Sequence, residues 1–158
     1  MQTRSPQNLR QALARAEKLA RQKPPPSATA WRGAFDGSAH PNPGRIGIGA
    51  VLAGPDGERV EISEYAGHGS SSDAEYLALI ALLEAAVRRG VRELQVAGDS
   101  QVVVQDVLME EAFSAAALAQ HRVQAVALMR QVGDVALHWV PRHRNAEADR
   151  LSQRAAAA

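Results

Sequence analysis

The sequence predicts an α/β fold in which helices cover one mixed β-sheet. Three extended segments separated by short turns run from residue 31 to residue 66, and a strongly periodic helix follows them. Beyond that helix, short strands alternate with helices to the end of the chain. Short turns between consecutive strands are typical of an antiparallel meander, and strands that alternate with helices carry those helices on the faces of a sheet. We therefore expect one folded domain over residues 27–158.

The first 26 residues are predicted to form a basic helical arm and a linker. Ser5 followed by Pro6 is typical of a helix start, and apolar residues then recur at helical spacing as far as Ala20. The proline-rich segment 23–27 ends that helix and favours an extended chain. Three interpretations of the arm remain: a solvated helix packed on the domain or on a neighbour, a segment that contacts phosphates, and an organelle-targeting peptide.

The strands of the meander are predicted over residues 31–38, 46–53 and 59–66. The segments between them, 40–44 and 54–57, are rich in Pro, Gly, Asn and Asp, which favour turns. The helix over residues 72–89 is the clearest in the sequence, and a glycine follows it as a typical terminator. Its apolar face contains Tyr76, Leu79, Ile80, Leu83 and Val87.

The second half of the domain is predicted to alternate between strands and helices. We expect, in order, a strand over 93–97, a helix from about Ser100, a helix over 114–131, a strand over 135–140 and a helix from about Asn145. The final run Ala155–Ala158 is expected to fray.

Composition excludes several classes of protein. The 158 residues are 46% hydrophobic and 22% charged, which is typical of a globular domain. With no cysteine there can be no disulfide, thiol nucleophile or cysteine-ligated metal, so a metal would need oxygen or imidazole ligands. No apolar run approaches the roughly 20 residues that span a bilayer. We expect a cytoplasmic monomer with no membrane partner.

Charge is distributed unevenly between the arm and the domain. Residues 1–23 contain six basic residues and one acidic residue, which leaves twelve basic and sixteen acidic residues in the remainder. An acidic domain attracts nucleic acid poorly, so local contacts or the arm would have to supply that attraction.

Two of the acidic residues that could carry chemistry occur in the first half of the domain. Asp36 precedes a glycine, and the pair could simply form a turn. Glu75 lies three residues after Ser72, which is the spacing of a helix-capping box. Taken alone, neither residue indicates catalysis.

Two further acidic residues occur in the second half. Asp99 follows a predicted strand and could cap the next helix. Asp149 lies in the first turn of the last helix, where it would interact favourably with the helix dipole.

Together the four acids suggest a metal site. The predicted topology brings them to neighbouring positions at one end of the sheet, where four carboxylates would repel one another unless protons or divalent cations neutralised them. Two oxygen-ligated ions about 4 Å apart are the arrangement that hydrolyses phosphodiester bonds in line.

Five groups of residues also resemble a known family. In order they are Asp36-Gly37-Ser38 with Asn42-Pro43-Gly44 and Gly47-Ile48-Gly49-Ala50; Ala74-Glu75-Tyr76; Gly98-Asp99-Ser100-Gln101; Trp139-Val140-Pro141-Arg142; and Asn145 with Ala148-Asp149-Arg150-Leu151. This series resembles type 1 ribonuclease H over residues 31–156. The resemblance implies a five-stranded mixed sheet in the order 3-2-1-4-5, with the first three strands antiparallel, and cleavage of the RNA strand of RNA/DNA hybrids.

The resemblance also implies roles for individual residues. Asp36 would bridge two Mg²⁺ ions, which Mn²⁺ could replace; Asp149 would hold mainly the ion that activates water, and Glu75 and Asp99 would hold the other. The RNA product would carry a 5′-phosphate. His143 falls where the family often has a loop histidine that assists proton transfer or product release, and the alternative is a solvated loop histidine.

Eight further residues match substrate contacts of the family or lie beside them. They are Gly37, Ser38, Asn42, Ser71, Ser72, Gln101, Arg142 and Asn145. Such residues would read a shallow minor groove, in which 2′-hydroxyls distinguish RNA from DNA.

This chain departs from the family pattern in three places. Ser70, Ser71 and Ser72 stand where the family usually has Thr-Asn-Asn, and serine has a shorter reach than asparagine. Residues 105–120 contain Asp106, Glu110 and Glu111 where some members carry a basic substrate-binding segment. No aromatic, basic hybrid-binding module precedes the domain.

Two rival functions remain open. Because of the serine triplet, one alternative function is that of a related nuclease that acts on double-stranded RNA or on DNA. A non-catalytic nucleic-acid-binding module is the other alternative, and the presence of all four acids argues against it.

We predict weak, strongly salt-dependent binding of nucleic acid, to which the arm contributes. Deleting residues 1–26 should lower the affinity for nucleic acid. It should also reduce the slope of log affinity against log salt concentration, by roughly 0.9 for each phosphate that the arm neutralises. Titrations of labelled hybrid at several salt concentrations would measure both. An unchanged affinity and slope would show that the arm does not contact phosphates.

Overall fold

The computed structural model describes residues 6–21, 25–109 and 116–157. Five strands form the sheet: β1 Trp31–His40, β2 Gly44–Ala53, β3 Arg59–Gly69, β4 Glu93–Gly98 and β5 Asp134–Trp139. The α-helices are α1 Pro6–Arg21, α2 Ser71–Arg88, α3 Gln101–Leu108, α4 Ala119–Val132 and α5 Ala146–Ala157. Short 3₁₀ turns occupy Ala116–Leu118 and Arg142–Arg144. The predicted start of α1 at Pro6 is confirmed, whereas Ser5, Glu110, Glu111 and part of the linker lie outside the described residues.

The sheet has the strand order β3-β2-β1-β4-β5, as the resemblance implies. β1, β2 and β3 form the expected antiparallel meander, and β4 and β5 continue the sheet in parallel with β1. Phe35 of β1 pairs with Gly98 of β4, so the residues that follow them, Asp36 and Asp99, lie near the same edge of the sheet.

Helices cover both faces of the sheet. α2 packs on β1 and β2 and against α3 and α4, while α5 packs across β1, β2 and β3. Side chains alternate along β1, and consequently Gly37 faces α2 whereas Asp36 faces α5. The main core lies between the sheet and α2, where Phe35, Tyr76 and Leu83 are fully buried.

Glycines allow the two helices to approach the strands closely. A β-carbon on Gly37 would lie 2.1 Å from a backbone atom of α2. On Gly47 and Gly49 it would lie 2.2 and 2.3 Å from backbone atoms of α5. Both helices therefore rest directly on strand backbone, and no larger residue fits at these positions without moving a helix.

The expectation that the C-terminal alanines fray is wrong. α5 continues to Ala157, and Ala155 and Ala156 are buried. Their small side chains allow the helix to lie on Gly47, and Arg45 Nε donates to the Ala156 carbonyl at 3.2 Å. Ala158 lies outside the described residues. Across the described part of the chain, no helix combines the length and the apolar character needed to cross a membrane.

Replacing Gly49 by alanine should destabilise the fold. The added methyl group would clash with the backbone of α5, and overpacking of this kind costs about 1–3 kcal/mol of unfolding free energy. Gly33→Ala is the matched control, because its β-carbon would meet the end of the Leu82 side chain at 2.8 Å, which can shift. Urea unfolding of both variants would measure the difference, and equal losses would contradict a backbone clash at Gly49.

Candidate active site

Asp36 lies at the centre of the candidate site. It pairs with Gly49 inside the β1–β2 ladder, so the interpretation of Asp36-Gly37 as a turn is wrong. The carboxylate is buried, with only 2% of the residue exposed, and it accepts a hydrogen bond from Ser152 Oγ of α5 at 2.8 Å. A buried carboxylate with few neutralising partners indicates a functional position.

Glu75 reaches Asp36 from near the start of α2, directly after its first turn. The predicted capping role of Glu75 is wrong, because the capping box is formed two residues earlier. Ser70 Oγ accepts from the Asp73 backbone N–H at 3.1 Å, and Asp73 accepts from the Ser70 N–H at 2.9 Å. The Glu75 carboxyl instead accepts from the Gly37 N–H and shares a hydrogen bond with Asp36.

Asp99 lies in the turn between β4 and α3. It does not cap α3, because Ser100 Oγ accepts the N-terminal hydrogen bond from the Val103 N–H at 3.3 Å. Trp139 Nε1 donates to the Asp99 carbonyl at 3.1 Å and so fixes the turn to the end of β5. The Asp99 side chain is thereby left to face the other acids.

Three of the four acids come together tightly. Carboxylate oxygens of Asp36, Glu75 and Asp99 lie within 4.8 Å of one another. Asp149 lies outside this group, in the first turn of α5, and its side chain is within hydrogen-bonding reach of Asp36. Asp36 thus interacts with each of the other three acids. The favourable position of Asp149 near the start of α5 is compatible with this arrangement.

The electrostatics of the cluster show how strongly its charges repel. Burial raises the pKa of Asp36 to about 6, and the negative charge of Asp99 raises it further. Hydrogen bonds from Glu75 and Ser152 lower this pKa and so offset part of the rise. Burial, followed by the charge of Asp36 and of Asp99, raises the pKa of Glu75 to about 10. In the absence of cations the cluster therefore retains protons that isolated carboxyls would have lost.

The donor set fits a hard divalent cation. Glu75 Oε2 and Asp99 Oδ2 are buried without a hydrogen-bond partner among the described residues. An unpaired buried carboxylate oxygen is unfavourable, and Mg²⁺ and Mn²⁺ bind such oxygens.

A groove of about 480 Å³ is lined by two of the acids, Glu75 and Asp99. Of the predicted substrate contacts, it is lined by Gly37, Ser38, Asn42, Ser71, Ser72 and Arg142. Asn42 and Ser71 are joined by two hydrogen bonds of 3.1 Å, from Asn42 Nδ2 to Ser71 Oγ and from the Ser71 N–H to Asn42 Oδ1. These bonds hold the β1–β2 turn against the start of α2.

The remaining predicted residues lie around the groove in different settings. Gln101 is exposed at the first position of α3, and His143 is exposed in the 3₁₀ turn before α5. Asn145 is buried, and its Nδ2 donates to the Phe35 carbonyl at 2.9 Å, which ties the start of α5 to β1. Their contacts with substrate stay predictions.

Asp106 belongs to the segment in which some family members carry basic substrate-binding residues. In this structure it is buried inside the fold. It accepts a hydrogen bond from the Tyr76 hydroxyl, and Arg122 Nε donates to its backbone carbonyl at 3.0 Å. Asp106 therefore braces α3 against α2 and α4 and does not present its charge to a substrate.

Among the groove residues that the sequence did not predict, two contact each other in the groove wall. His40 and Gln153 both line the groove, and His40 Nε2 lies 2.8 Å from Gln153 Oε1. The sequence contains only weak signals for them. Gln153 lies one helical turn after Asp149, and His40 lies an even number of strand positions after Asp36, so each shares a face with one of the acids.

Comparison with known sequences places these motifs in a family. A family model described as "Reverse transcriptase-like" matches residues 34–155. Ribonuclease HI of Halobacterium salinarum is 37% identical over 122 residues, covering 77% of this chain and 61% of that protein. A bifunctional protein of Mycobacterium tuberculosis, Rv2228c, is 39% identical over 119 residues, covering 74% of this chain and 33% of that protein. The chain thus spans under two thirds of the length of these relatives.

Solved structures agree with the sequence relatives. RNase H1 of Halobacterium salinarum superposes with a TM-score of 0.73 at 35% identity, covering 80% of this chain and 96% of that one. The N-terminal RNase H domain of the Mycobacterium tuberculosis protein gives the same TM-score of 0.73 and identity of 35%, with 80% and 98% coverage. LC11-RNase H1, solved in complex with an RNA/DNA hybrid, gives 0.72 at 28% identity, with 80% and 96% coverage. The sheet order, the motifs and these matches together show that the chain belongs to the type 1 ribonuclease H family.

Proposed function

We propose that this chain is a ribonuclease H that hydrolyses the RNA strand of RNA/DNA hybrids and leaves 5′-phosphate ends. The observation that carries the proposal is the position of Asp36, whose carboxyl interacts with those of Glu75, Asp99 and Asp149, while Glu75 and Asp99 also line a groove. The complex of LC11-RNase H1 with a hybrid supports the choice of substrate. All four acids come from one chain, so the proposed site is complete in a monomer.

The four carboxylates would hold two Mg²⁺ ions, which Mn²⁺ could replace, with Asp36 as the shared ligand. When bound, two such ions supply activation of the attacking water and stabilisation of charge at the leaving oxygen. The chain's own donors orient the ligands: Ser152 Oγ holds Asp36, and the Gly37 N–H holds Glu75. Ligands fixed in this way lose little orientational freedom when the ions and the substrate bind.

The serine triplet has three different tasks in the structure, and this division bears on substrate choice. Ser70 caps α2, and Ser71 is bound to Asn42. Ser72 lines the groove and is not engaged in either contact. We propose that Ser72 and Gln101 contact the hybrid, beside the backbone at Gly37 and Ser38, and that Arg142 binds a phosphate.

His143 stays a prediction as a residue that assists proton transfer or product release. Its support is its location, because it is exposed in a short turn that leads directly into α5, which carries Asp149.

The proposed activity predicts cleavage of a labelled hybrid with Mg²⁺ or Mn²⁺, none with EDTA, and 5′-phosphate ends on the RNA fragments. Double-stranded RNA, duplex DNA and single-stranded RNA would be assayed in parallel. Asp36→Asn and Asp99→Asn should each lower turnover by several orders of magnitude without unfolding the protein, and Asp56→Asn, in the exposed β2–β3 turn, is the matched control.

Each alternative outcome has a distinct meaning. Equal cutting of hybrid and double-stranded RNA would support the broader nuclease. If no substrate is cleaved with either metal, the non-catalytic nucleic-acid-binding module is the remaining function. Full activity in Asp36→Asn would exclude the assigned site.

The raised pKa values predict how the stability of the metal-free protein depends on pH. A carboxyl whose folded pKa exceeds its unfolded pKa favours the fold at low pH, and this contribution is lost as the pH rises through the folded value. The pKa values of Asp36 and Glu75 are raised from 3.8 to about 6 and from 4.5 to about 10. The melting temperature in EDTA should therefore fall from about pH 4 upwards, with the Asp36 contribution lost by about pH 6 and the Glu75 contribution lost towards about pH 10.

Mg²⁺ should oppose this loss, because it binds the deprotonated carboxylates. The increase in melting temperature caused by Mg²⁺ should consequently grow over the same pH range. Asp36→Asn should flatten the curve measured in EDTA and remove most of the Mg²⁺ effect. A wild-type curve in EDTA that is flat, or that rises with pH, would contradict the repulsion inferred for the cluster.

A further inference from the structure

Asp149 is connected to the end of β1 by a chain of two hydrogen bonds. Gln153, one turn further along α5, donates from Nε2 to Asp149 Oδ1 at 3.4 Å. The other end of the same amide, Oε1, lies 2.8 Å from His40 Nε2. His40 and Gln153 both line the groove that Glu75 and Asp99 also line.

We propose that Gln153 and His40 are positioning residues for Asp149, with His40 acting through Gln153. The inference rests on the proposed function, in which Asp149 is a metal ligand. Gln153 would hold the carboxylate at the distance from Asp36 that the site requires, and His40 would hold the Gln153 amide in the orientation that donates to Asp149.

Asp149 needs such support more than Asp36 and Glu75 do. Asp36 and Glu75 are buried and receive hydrogen bonds from Ser152 and from the Gly37 backbone, whereas Asp149 is half-buried. The negative charge of Asp36 favours rotation of the Asp149 side chain towards solvent. A neutral donor on the next turn of α5 opposes that rotation without adding a charge that would compete with a cation.

The orientation of the Gln153 amide follows from its two neighbours. A glutamine oxygen only accepts hydrogen bonds and its nitrogen only donates them. The reversed amide would place Oε1 against a carboxylate oxygen of Asp149, two acceptors in contact. His40 prevents this reversal when its Nε2 carries the hydrogen, because Nε2 then requires an acceptor opposite it.

Strand geometry explains how His40 reaches this position. His40 lies four residues after Asp36 on β1, so both side chains face α5. The contact joins residues 113 positions apart in the sequence, and it fixes the second turn of α5 to the end of β1.

A double-mutant cycle with Mg²⁺ as the probe would test the proposal. Gln153→Ala should raise, by about tenfold, both the Mg²⁺ concentration that gives half of the thermal stabilisation and the concentration that gives half-maximal cleavage. The melting temperature in EDTA and the KM for hybrid should change little. His40→Ala should act in the same direction and less strongly, and the double variant should resemble Gln153→Ala, because His40 acts through Gln153.

Two further variants sharpen the test. His40→Gln can donate through its amide and should recover part of the Mg²⁺ affinity that His40→Ala loses. Gln124→Ala, an exposed glutamine on α4, is the matched control and should leave the Mg²⁺ dependence unchanged.

The possible results separate this inference from the proposed function. Wild-type cleavage together with an unchanged Mg²⁺ dependence in Gln153→Ala would overturn the positioning role alone. Additive effects of the two alanine variants, or a higher KM in His40→Ala, would show that His40 contacts the substrate directly and would also overturn it. A wild-type protein with neither cleavage nor stabilisation by Mg²⁺ would overturn both.

Discussion

The site depends on the contact of two helices with the backbone of β1 and β2. Gly37 admits the first turn of α2, and Gly49 admits the first turns of α5. Glu75 follows the first of these turns directly and Asp149 lies in the second, so the contacts that pack the helices on the sheet also set where the backbones of these two acids lie. Because backbone meets backbone at both places, those backbone positions are as rigid as the fold itself, and only the side-chain torsions remain to be fixed by hydrogen bonds.

This rigidity brings like charges together at a cost in stability. Burial and mutual repulsion hold the pKa of Asp36 and of Glu75 above their ordinary values, which means that the charged cluster opposes folding. Hydrogen bonds from Ser152 and from the Gly37 backbone offset part of this cost. Unpaired oxygens remain on Glu75 and Asp99, and they are the atoms that a cation would neutralise. The metal affinity proposed for this site and the predicted instability of its metal-free state would thus have one physical origin.

Local pattern sufficed for the strands and the helices, because turn residues and periodicity are visible in one dimension, and the family resemblance supplied the strand order. Local pattern failed where two residue pairs have the same capping spacing, and where a contact with a distant part of the chain determines the burial of a residue. Ser70 with Asp73 and Ser72 with Glu75 both have capping spacing, and only the three-dimensional start of α2 selects the first. The last alanines are buried because Gly47, more than a hundred residues earlier, receives them.

The start of α2 also shows how a departure from a family pattern acquires meaning. Three successive serines would be equivalent by composition, yet Ser70 completes the capping box and Ser71 joins Asn42 across to the β1–β2 turn. Both tasks fix the helix that carries Glu75 and take these two hydroxyls away from direct reading of the substrate. In the proposed function, discrimination between RNA and DNA would then rest on Ser72 within the triplet, together with Gln101 and backbone groups near Gly37. Because a serine hydroxyl and backbone groups have a short reach, selectivity would depend on how closely the hybrid approaches β1.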